Sequence, residues 1–250
     1  DNPAHHALQA GILRAMTSAG RRPAIVFEMI PRSLQPAIDA FLADEAPDPG
    51  RFGEIVQWEE RGWPSWAAYR PILEVGLEFG LAVVAGDLDR CTIRSISQGG
   101  ASALKPELQG RYGLDTDLAP EQRQELEKAI ETGHCGLMPP AAIAPMIMVQ
   151  RARDGALADA MIEADTGGAD GAVLIAGSGH TRTDYGTARL LARLAPSSAI
   201  VAVQMIEAPV ELSRVPDMHD FAIVTPRMAR EGPCEALRRS IQGREGEHRD

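Results

Sequence analysis

The sequence is short of basic charge and of long apolar runs, and each shortage excludes a class of protein. Its 25 Lys and Arg residues are outnumbered by 35 Asp and Glu residues, which gives a formal net charge of −10 and a pI near 5.1. The chain therefore has no large basic face with which to bind a phosphate backbone or an anionic membrane surface, so nucleic acid is not an expected partner. No apolar stretch approaches the roughly 20 residues of a transmembrane helix.

Cysteine is scarce as well. Cys91, Cys135 and Cys234 are an odd number at wide spacing and form no CxxC pair. This pattern argues against a disulfide framework and against a four-thiolate zinc site. A chain of 250 residues can bury a substantial core without such links, so we expect the three cysteines to be small buried hydrophobic residues.

Short apolar runs recur along the chain and predict the strands of a mostly parallel sheet. The runs are almost continuously apolar rather than alternating, as expected where helices cover both faces of a sheet. The predicted strands are Pro23–Ile30, Leu81–Ala85, Gly171–Ala176, Ala199–Met205 and Phe221–Val224. The predicted helices are Leu8–Ala19, Ser33–Leu42, Gly53–Tyr69, Pro120–Thr132, Ala141–Ala164 and Thr187–Leu194. Because strand and helix alternate, the predicted fold class is α/β, with a mainly parallel sheet flanked by helices.

Two regions depart from this alternation. Residues 92–164 contain helical patterns and loops but no convincing strand, so we expect a smaller helical subdomain inserted into a single domain that spans residues 1–250. The opening segment DNPAHHALQ runs through an Asn-Pro turn directly into a helix, whereas an open α/β sheet ordinarily starts with a strand. We therefore expect an N-terminal strand to be missing from this chain.

The segment GSGHTRTDYG, from Gly177 to Gly186, is the main candidate for a functional site. It follows a predicted buried strand and leads into a helix, which is where ligands collect in open α/β sheets. Its glycine spacing does not give a dinucleotide fingerprint, and no Walker lysine follows. Imidazole and phenolate both ligate haem iron, and an arginine can pair with a propionate, so His180, Arg182 and Tyr185 favour a metal or metal-macrocycle site. A solvated turn is the alternative.

Glu28 and His5 are further candidates near the amino terminus. Glu28 lies inside the apolar strand AIVFEMI, where a carboxylate is costly unless it is paired or ligated, or faces the cleft at the strand end. His5 and His6 are adjacent near the start of the first helix, so their side chains point about 100° apart and at most one is expected to face a given ligand.

The loop between the predicted helices Pro120–Thr132 and Ala141–Ala164 carries His134 and Met138, side chains of types that occur as haem ligands. A histidine near a helix carboxyl terminus can equally be a partner of the helix dipole. On the following helix, Gln150 and Asp154 interrupt an apolar stripe that includes Ile147, and buried polar groups of this kind need hydrogen-bond partners.

Taken together, several segments resemble the haem-binding ChaN-like branch of the Tiki superfamily, in the same order and with similar spacing. The segments are DNPAHHALQ, FEMI, WxxWxxYRPIL at 63–73, HCGLMP at 134–139, VQRARDGALADAM at 149–161 and GSGHTRTDYG at 177–186. The resemblance covers nearly the whole chain.

This resemblance implies a role in bacterial haem or iron uptake, with haem as the cofactor. It implies a tyrosine ligand to iron with histidine assistance, for which Tyr185 and His180 are the matching residues and Tyr69 the alternative tyrosine. It also implies a homodimer around stacked haems, envelope or outer-membrane uptake components as partners, and a place in the bacterial cell envelope, periplasmic or membrane-anchored.

The wider Tiki superfamily supplies a second hypothesis. Its metal-dependent proteases resemble this chain in a Gly-x-x-His motif, here Gly177 to His180, and in a strand glutamate, here Glu28. A hydrolase of this type would bind a divalent metal ion through His180, Glu28 and His5 and would activate water. An N-terminal Gly-x-x-His, which the pattern also requires, is absent from the sequence.

Overall fold

The computed structural model describes residues 2–210, 218–230, 232, 234, 235 and 237–239. It has the predicted α/β class, with parallel strands flanked by helices. In chain order the helices are α1 (Pro3–Ser18), α2 (Gln35–Leu42), α3 (Phe52–Ile55), α4 (Trp66–Phe79), α5 (Arg90–Gly99), α6 (Pro106–Tyr112), α7 (Pro120–Gly133), α8 (Pro140–Thr166) and α9 (Thr187–Leu194). The strands are β1 (Ala24–Pro31), β2 (Val83–Asp87), β3 (Ala172–Ile175), β4 (Val203–Glu207) and β5 (Phe221–Thr225).

Strand β1 is the centre of the first sheet, whose order is β2-β1-β3 with both pairs parallel. All eight residues of β1 are buried, because the sheet is covered on both faces. The register pairs Phe27 of β1 with Ala85 of β2 and with Ile175 of β3. The carboxyl ends of the three strands therefore lie at one edge, and that edge carries the candidate site.

Strands β4 and β5 form a second parallel sheet, and in the described part of the chain they do not pair with the first one. Asn2 caps α1 by accepting a hydrogen bond from the Ala4 amide, and its side chain donates to Glu207 at the end of β4. Helix α1 thus begins at the carboxyl ends of the second sheet. The predicted strand Ala199–Met205 was placed too early, since β4 begins at Val203.

The prediction of one helix over Gly53–Tyr69 is wrong. The chain makes the single turn of α3, continues through turns, and starts α4 only at Trp66. Three residues account for the break: Gln57 and Gly62 have φ values of +54° and +87°, and Pro64 disfavours helical backbone at the residue before it. The tryptophans of this segment pack in the main core, where Trp58 is fully buried against Trp66 and Tyr69.

Between β2 and β3 the chain is helical or loop throughout. Helix α8 is 27 residues long, and its middle, from Ala152 to Ala160 apart from the partly exposed Arg153, is buried between the first sheet and the neighbouring helices. This helix carries polar side chains to the carboxyl edge of the sheet. No helix among the described residues is long and apolar enough to cross a membrane.

The expectation of three buried, unlinked cysteines is also wrong. Cys135 and Cys234 form a disulfide across a sequence separation of 99 residues, and Cys91 is free and exposed. The fold brings the turn between α7 and α8 beside residue 234, and no local pattern in the sequence encodes that proximity. Cys135 has a φ of +58°, in the left-handed region that non-glycine residues rarely adopt.

Candidate functional site

A buried ion cluster lies at the carboxyl edge of the first sheet. Glu28 comes from β1, Asp87 ends β2, and His180 follows β3 in the Gly177–His180 turn. Helix α8 crosses this edge and supplies Arg153 and Asp154. Parallel strands end at a common edge, which is why residues far apart in sequence meet here.

Arg153 is at the centre of the cluster. Its Nη2 donates to Glu28 Oε1 at 2.9 Å and to Asp87 Oδ2 at 2.8 Å, and its Nε donates to Asp87 Oδ1 at 2.9 Å. Its Nη1 lies 3.1 Å from His180 Nε2. The two carboxylates hold the guanidinium so firmly that, although burial opposes its charge, the pKa of Arg153 is raised.

His180 is held by two carboxylates on opposite sides of its ring. Its Nδ1 donates to Asp154 Oδ1 at 2.7 Å, and its Nε2 lies 3.4 Å from Glu28 Oε1. Burial opposes a charge on the imidazole, but Glu28 and Asp154 outweigh that effect and raise the pKa of His180 to about 10. Glu28 contacts both the imidazole and the Arg153 guanidinium, which offsets the close approach of these two basic side chains.

The second carboxylate oxygen of Glu28 accepts a hydrogen bond from the backbone. The Gly177 amide donates to Glu28 Oε2 at 2.7 Å. Burial alone would raise the pKa of Glu28, but His180, Arg153 and the Gly177 amide together hold that pKa well below its usual range. The carboxylate is thus ionised, and both of its oxygens have partners.

Asp154 differs from Glu28 because it is fully buried and less well neutralised. Its Oδ1 accepts from His180 and, at 3.3 Å, from the Thr187 hydroxyl, whereas its Oδ2 has no hydrogen-bond partner in the described part of the chain. Burial raises the pKa of Asp154, and His180 opposes that rise. Gln150 and Asp154, the two polar residues predicted to need partners on α8, both contact His180.

The described residues contain no group of three or more His, Cys, Asp or Glu side chains arranged to hold a metal ion. In the cluster, the Glu28 and Asp87 carboxylates and the His180 imidazole already face the Arg153 guanidinium. The cluster therefore pairs charges within the protein and offers no open coordination position to water or substrate.

Tyr185 and Arg182 lie outside the cluster. Tyr185 is only 3 % exposed and packs with Leu126, Ile130 and Ile147 in a small core under α7 and α8. Its hydroxyl is inaccessible and has no hydrogen-bond partner in the described part of the chain, and burial raises its pKa to about 12.

The Arg182 guanidinium stacks over the ring of Tyr185 at 4.3 Å and forms two hydrogen bonds with Asp184, the shorter at 2.7 Å. The segment GSGHTRTDYG thus sends His180 and Tyr185 into different environments.

The other two predicted residues lie on separate surfaces. His5 is partly exposed, and its Nε2 lies 2.8 Å from the Thr225 hydroxyl at the end of β5. His134 follows the last residue of α7, is partly exposed, and uses Nδ1 to contact the Ile130 carbonyl at 2.8 Å. Of the six predicted site residues, Glu28 and His180 come together in the cluster, Arg182 and Tyr185 contact each other outside it, and His5 and His134 lie apart.

Sequence reasoning missed Arg153 and Asp87, which supply most of the hydrogen bonds of the cluster. A signal for each was present. Asp87 follows the apolar run LAVVAG at a strand end, and Arg153 immediately precedes a buried aspartate on α8. A glutamate inside an apolar strand requires a cation, and Arg153 is the basic residue next to the polar positions that interrupt the helix stripe.

The sequence profile of the family described as haem-binding uptake, Tiki superfamily, ChaN matches residues 1–191. The chain belongs to this family. A solved structure, described as cofacial haem binding to ChaN of Campylobacter jejuni, has a similar fold, with a TM-score of 0.67. It is 19 % identical in sequence, and the match covers 84 % of this chain and 80 % of that one. No curated protein matches the sequence. The ChaN-family resemblance inferred from the motifs is therefore confirmed, as is the fold class.

Proposed function

We propose that this ChaN-family protein binds haem and that His134 is its iron ligand. The family is described as haem-binding, and the similar Campylobacter jejuni protein is described as binding haem cofacially. Haem needs an axial side chain that can reach iron from the protein surface, which neither buried Tyr185 nor buried His180 can do in this structure. His134 can.

The tautomer of His134 carries the proposal. A backbone carbonyl only accepts hydrogen bonds, so the contact between Nδ1 and the Ile130 carbonyl requires the proton on Nδ1. The lone pair is then on Nε2, which has no partner in the described part of the chain. A metal-ligating histidine characteristically donates its other ring N–H to a carbonyl or carboxylate, which fixes the ring and makes it a better ligand.

The surroundings of His134 suit a flat apolar macrocycle. Leu137 is 41 % exposed three residues further on, and Met138 is partly buried beside it. The turn that carries these side chains is fixed at Cys135 by the disulfide. In this proposal His134 would hold the haem iron, and Leu137 and Met138 would contact the apolar macrocycle; bound haem would supply the iron chemistry.

We further infer that the protein handles haem in the bacterial cell envelope and pairs with a second copy when loaded. Disulfides persist in oxidising compartments such as the periplasm, and the Cys135–Cys234 bond supports that location. The cofacial haems of the Campylobacter jejuni protein support pairing of two haem-bearing faces. Light scattering during size-exclusion chromatography, with and without haemin, tests the pairing.

The ligand is tested by titrating haemin and following the Soret band of wild type, His134→Ala, Tyr185→Phe and His5→Ala. His5→Ala is the matched control, because it also removes a partly exposed histidine. We expect saturable binding by wild type, by Tyr185→Phe and by His5→Ala, and at least about a tenfold weaker affinity for His134→Ala, since loss of a coordinating side chain costs well over 1.4 kcal/mol. Equal binding by His134→Ala contradicts the ligand assignment, and absence of a saturable Soret shift in wild type contradicts haem binding.

A further inference from the structure

We propose that Arg153 is a built-in cation that takes the place of a divalent metal ion in the strand-end cluster. Glu28, Asp87 and His180 are its three partners, and they are residue types that ligate divalent metal ions, although with Arg153 among them the described residues hold no group arranged to bind one. The inference concerns the sheet edge and is independent of whether His134 binds haem.

The donor atoms are of the right kind, and those of Glu28 and His180 are close together. Two carboxylates and one imidazole are ligands that zinc, manganese and iron take in proteins. Glu28 Oε1 and His180 Nε2 are 3.4 Å apart, and two ligands on a tetrahedral ion with bonds of about 2.1 Å are separated by about the same distance. The supporting shell is present too, since His180 Nδ1 donates to Asp154 at 2.7 Å and the Gly177 amide donates to the second oxygen of Glu28.

The guanidinium of Arg153 lies among these donor atoms. One nitrogen, Nη2, contacts both Glu28 Oε1 and Asp87 Oδ2, and the next, Nη1, faces His180 Nε2 at 3.1 Å. The guanidinium places positive charge among these donor atoms, as a metal ion would. Unlike a metal ion, it interacts through N–H donors and has no coordination position for water. Because its side chain is only 18 % exposed and belongs to the long helix α8, an ion would have to displace a well-anchored group.

This arrangement explains why the metal-hydrolase hypothesis does not suit the described residues. His180 and Glu28 are brought together as that hypothesis requires, but His5 is engaged with Thr225 at the second sheet. With Arg153 in place, no position remains from which a bound ion could activate water.

The test uses haem-free protein and Co²⁺ as the probe. Wild type, Arg153→Met, Arg153→Lys and Arg153→Met/His180→Ala are incubated with Co²⁺ and desalted, and bound metal is measured together with the visible absorption of the coordinated ion. Arg111→Met is the matched control, because it removes an arginine that pairs with buried Asp159 outside the cluster.

We expect only Arg153→Met to retain Co²⁺, at about one ion per chain and with a tetrahedral spectrum, because only this variant frees the donor set and keeps the imidazole. Wild type, Arg153→Lys, Arg111→Met and the double variant should retain none. Arg153→Met that is folded by circular dichroism but binds no Co²⁺ overturns the proposal. Stoichiometric Co²⁺ on wild type that is lost in Glu28→Gln overturns it as well.

Arg153→Met leaves two carboxylates without their cation, so it is also examined by refolding in the presence and absence of Co²⁺. If the variant is unfolded alone, the proposal predicts that the ion restores the native circular dichroism spectrum, because binding to the native site is linked to folding. No recovery at saturating Co²⁺ contradicts the proposal.

Discussion

Breaking the Cys135–Cys234 disulfide should destabilise the protein by several kcal/mol. The bond joins residues 99 positions apart, and a loop of about 100 residues removes about 4.7 kcal/mol of chain entropy from the unfolded state. Measured disulfides typically contribute somewhat less than this limit, so we expect the free energy of unfolding to fall by about 2–4 kcal/mol.

The assay is urea unfolding at neutral pH, followed by circular dichroism, with and without reductant in a Cys91→Ser background. Cys91 is the exposed free cysteine, so its removal leaves the bonded pair as the only group that responds to reductant. Cys135→Ser should reproduce the effect of reductant, and adding reductant to that variant should change nothing further.

A thiol count checks the bond itself. Unfolded, unreduced wild type should titrate one thiol, and reduced protein should titrate all three cysteines. Three thiols in protein prepared under oxidising conditions, or equal unfolding free energies with and without reductant, refute the reasoning. Since Cys135 directly follows His134, reduction should also weaken haem binding, and an unchanged haem affinity would argue that the turn is held by other contacts.

Two further predictions concern the candidate site and the helix that builds it. The pKa of His180 is raised from 6.5 to about 10, so the stabilisation from its charge is fully present below pH 6.5 and is lost as the pH rises to about 10. The free energy of unfolding should therefore fall across that range. His180→Gln should make the free energy of unfolding depend less on pH over the same range. Gly155→Ala should destabilise the fold by about 1–3 kcal/mol in urea, because the new Cβ would lie 2.2 Å from buried Tyr112. Gly11→Ala on α1 meets no atom within 4 Å and should stabilise by up to about 1 kcal/mol, so equal effects of the two substitutions contradict this packing.

Much of the fold could be predicted from local patterns. The run AIVFEMI predicted β1 to within one residue at each end, because a strand buried on both faces must be continuously apolar. The helix from Thr187 to Leu194 was predicted with its observed bounds. The prediction of one helix over Gly53–Tyr69 failed because the left-handed backbone at Gln57 and Gly62, followed by Pro64, interrupts the helix between α3 and α4.

The candidate site was predicted in part. The sequence identified Glu28 and His180 separately. Glu28 was identified because a carboxylate inside an apolar strand is costly unless it is paired or ligated, and His180 because ligands collect at glycine-rich turns after strand ends. It grouped Tyr185 with His180 because these two residues are five positions apart in the sequence. In the structure the turn directs His180 into the ion cluster and Tyr185 into the core beneath α7, so nearness in sequence was a poor guide to nearness in space.

The sequence by itself determined the class of fold, the family and the position of a strand-end cluster, because these follow from apolar runs, glycine-rich turns and the order of motifs. Only the tertiary structure decided which charges meet. Arg153 reaches Glu28 and Asp87 from a different element, and Cys135 reaches Cys234 across 99 residues, because packing of helices on a sheet sets these distances. The tertiary structure also left His134 partly exposed, with no partner for its Nε2 among the described residues, whereas it buried Tyr185 and His180.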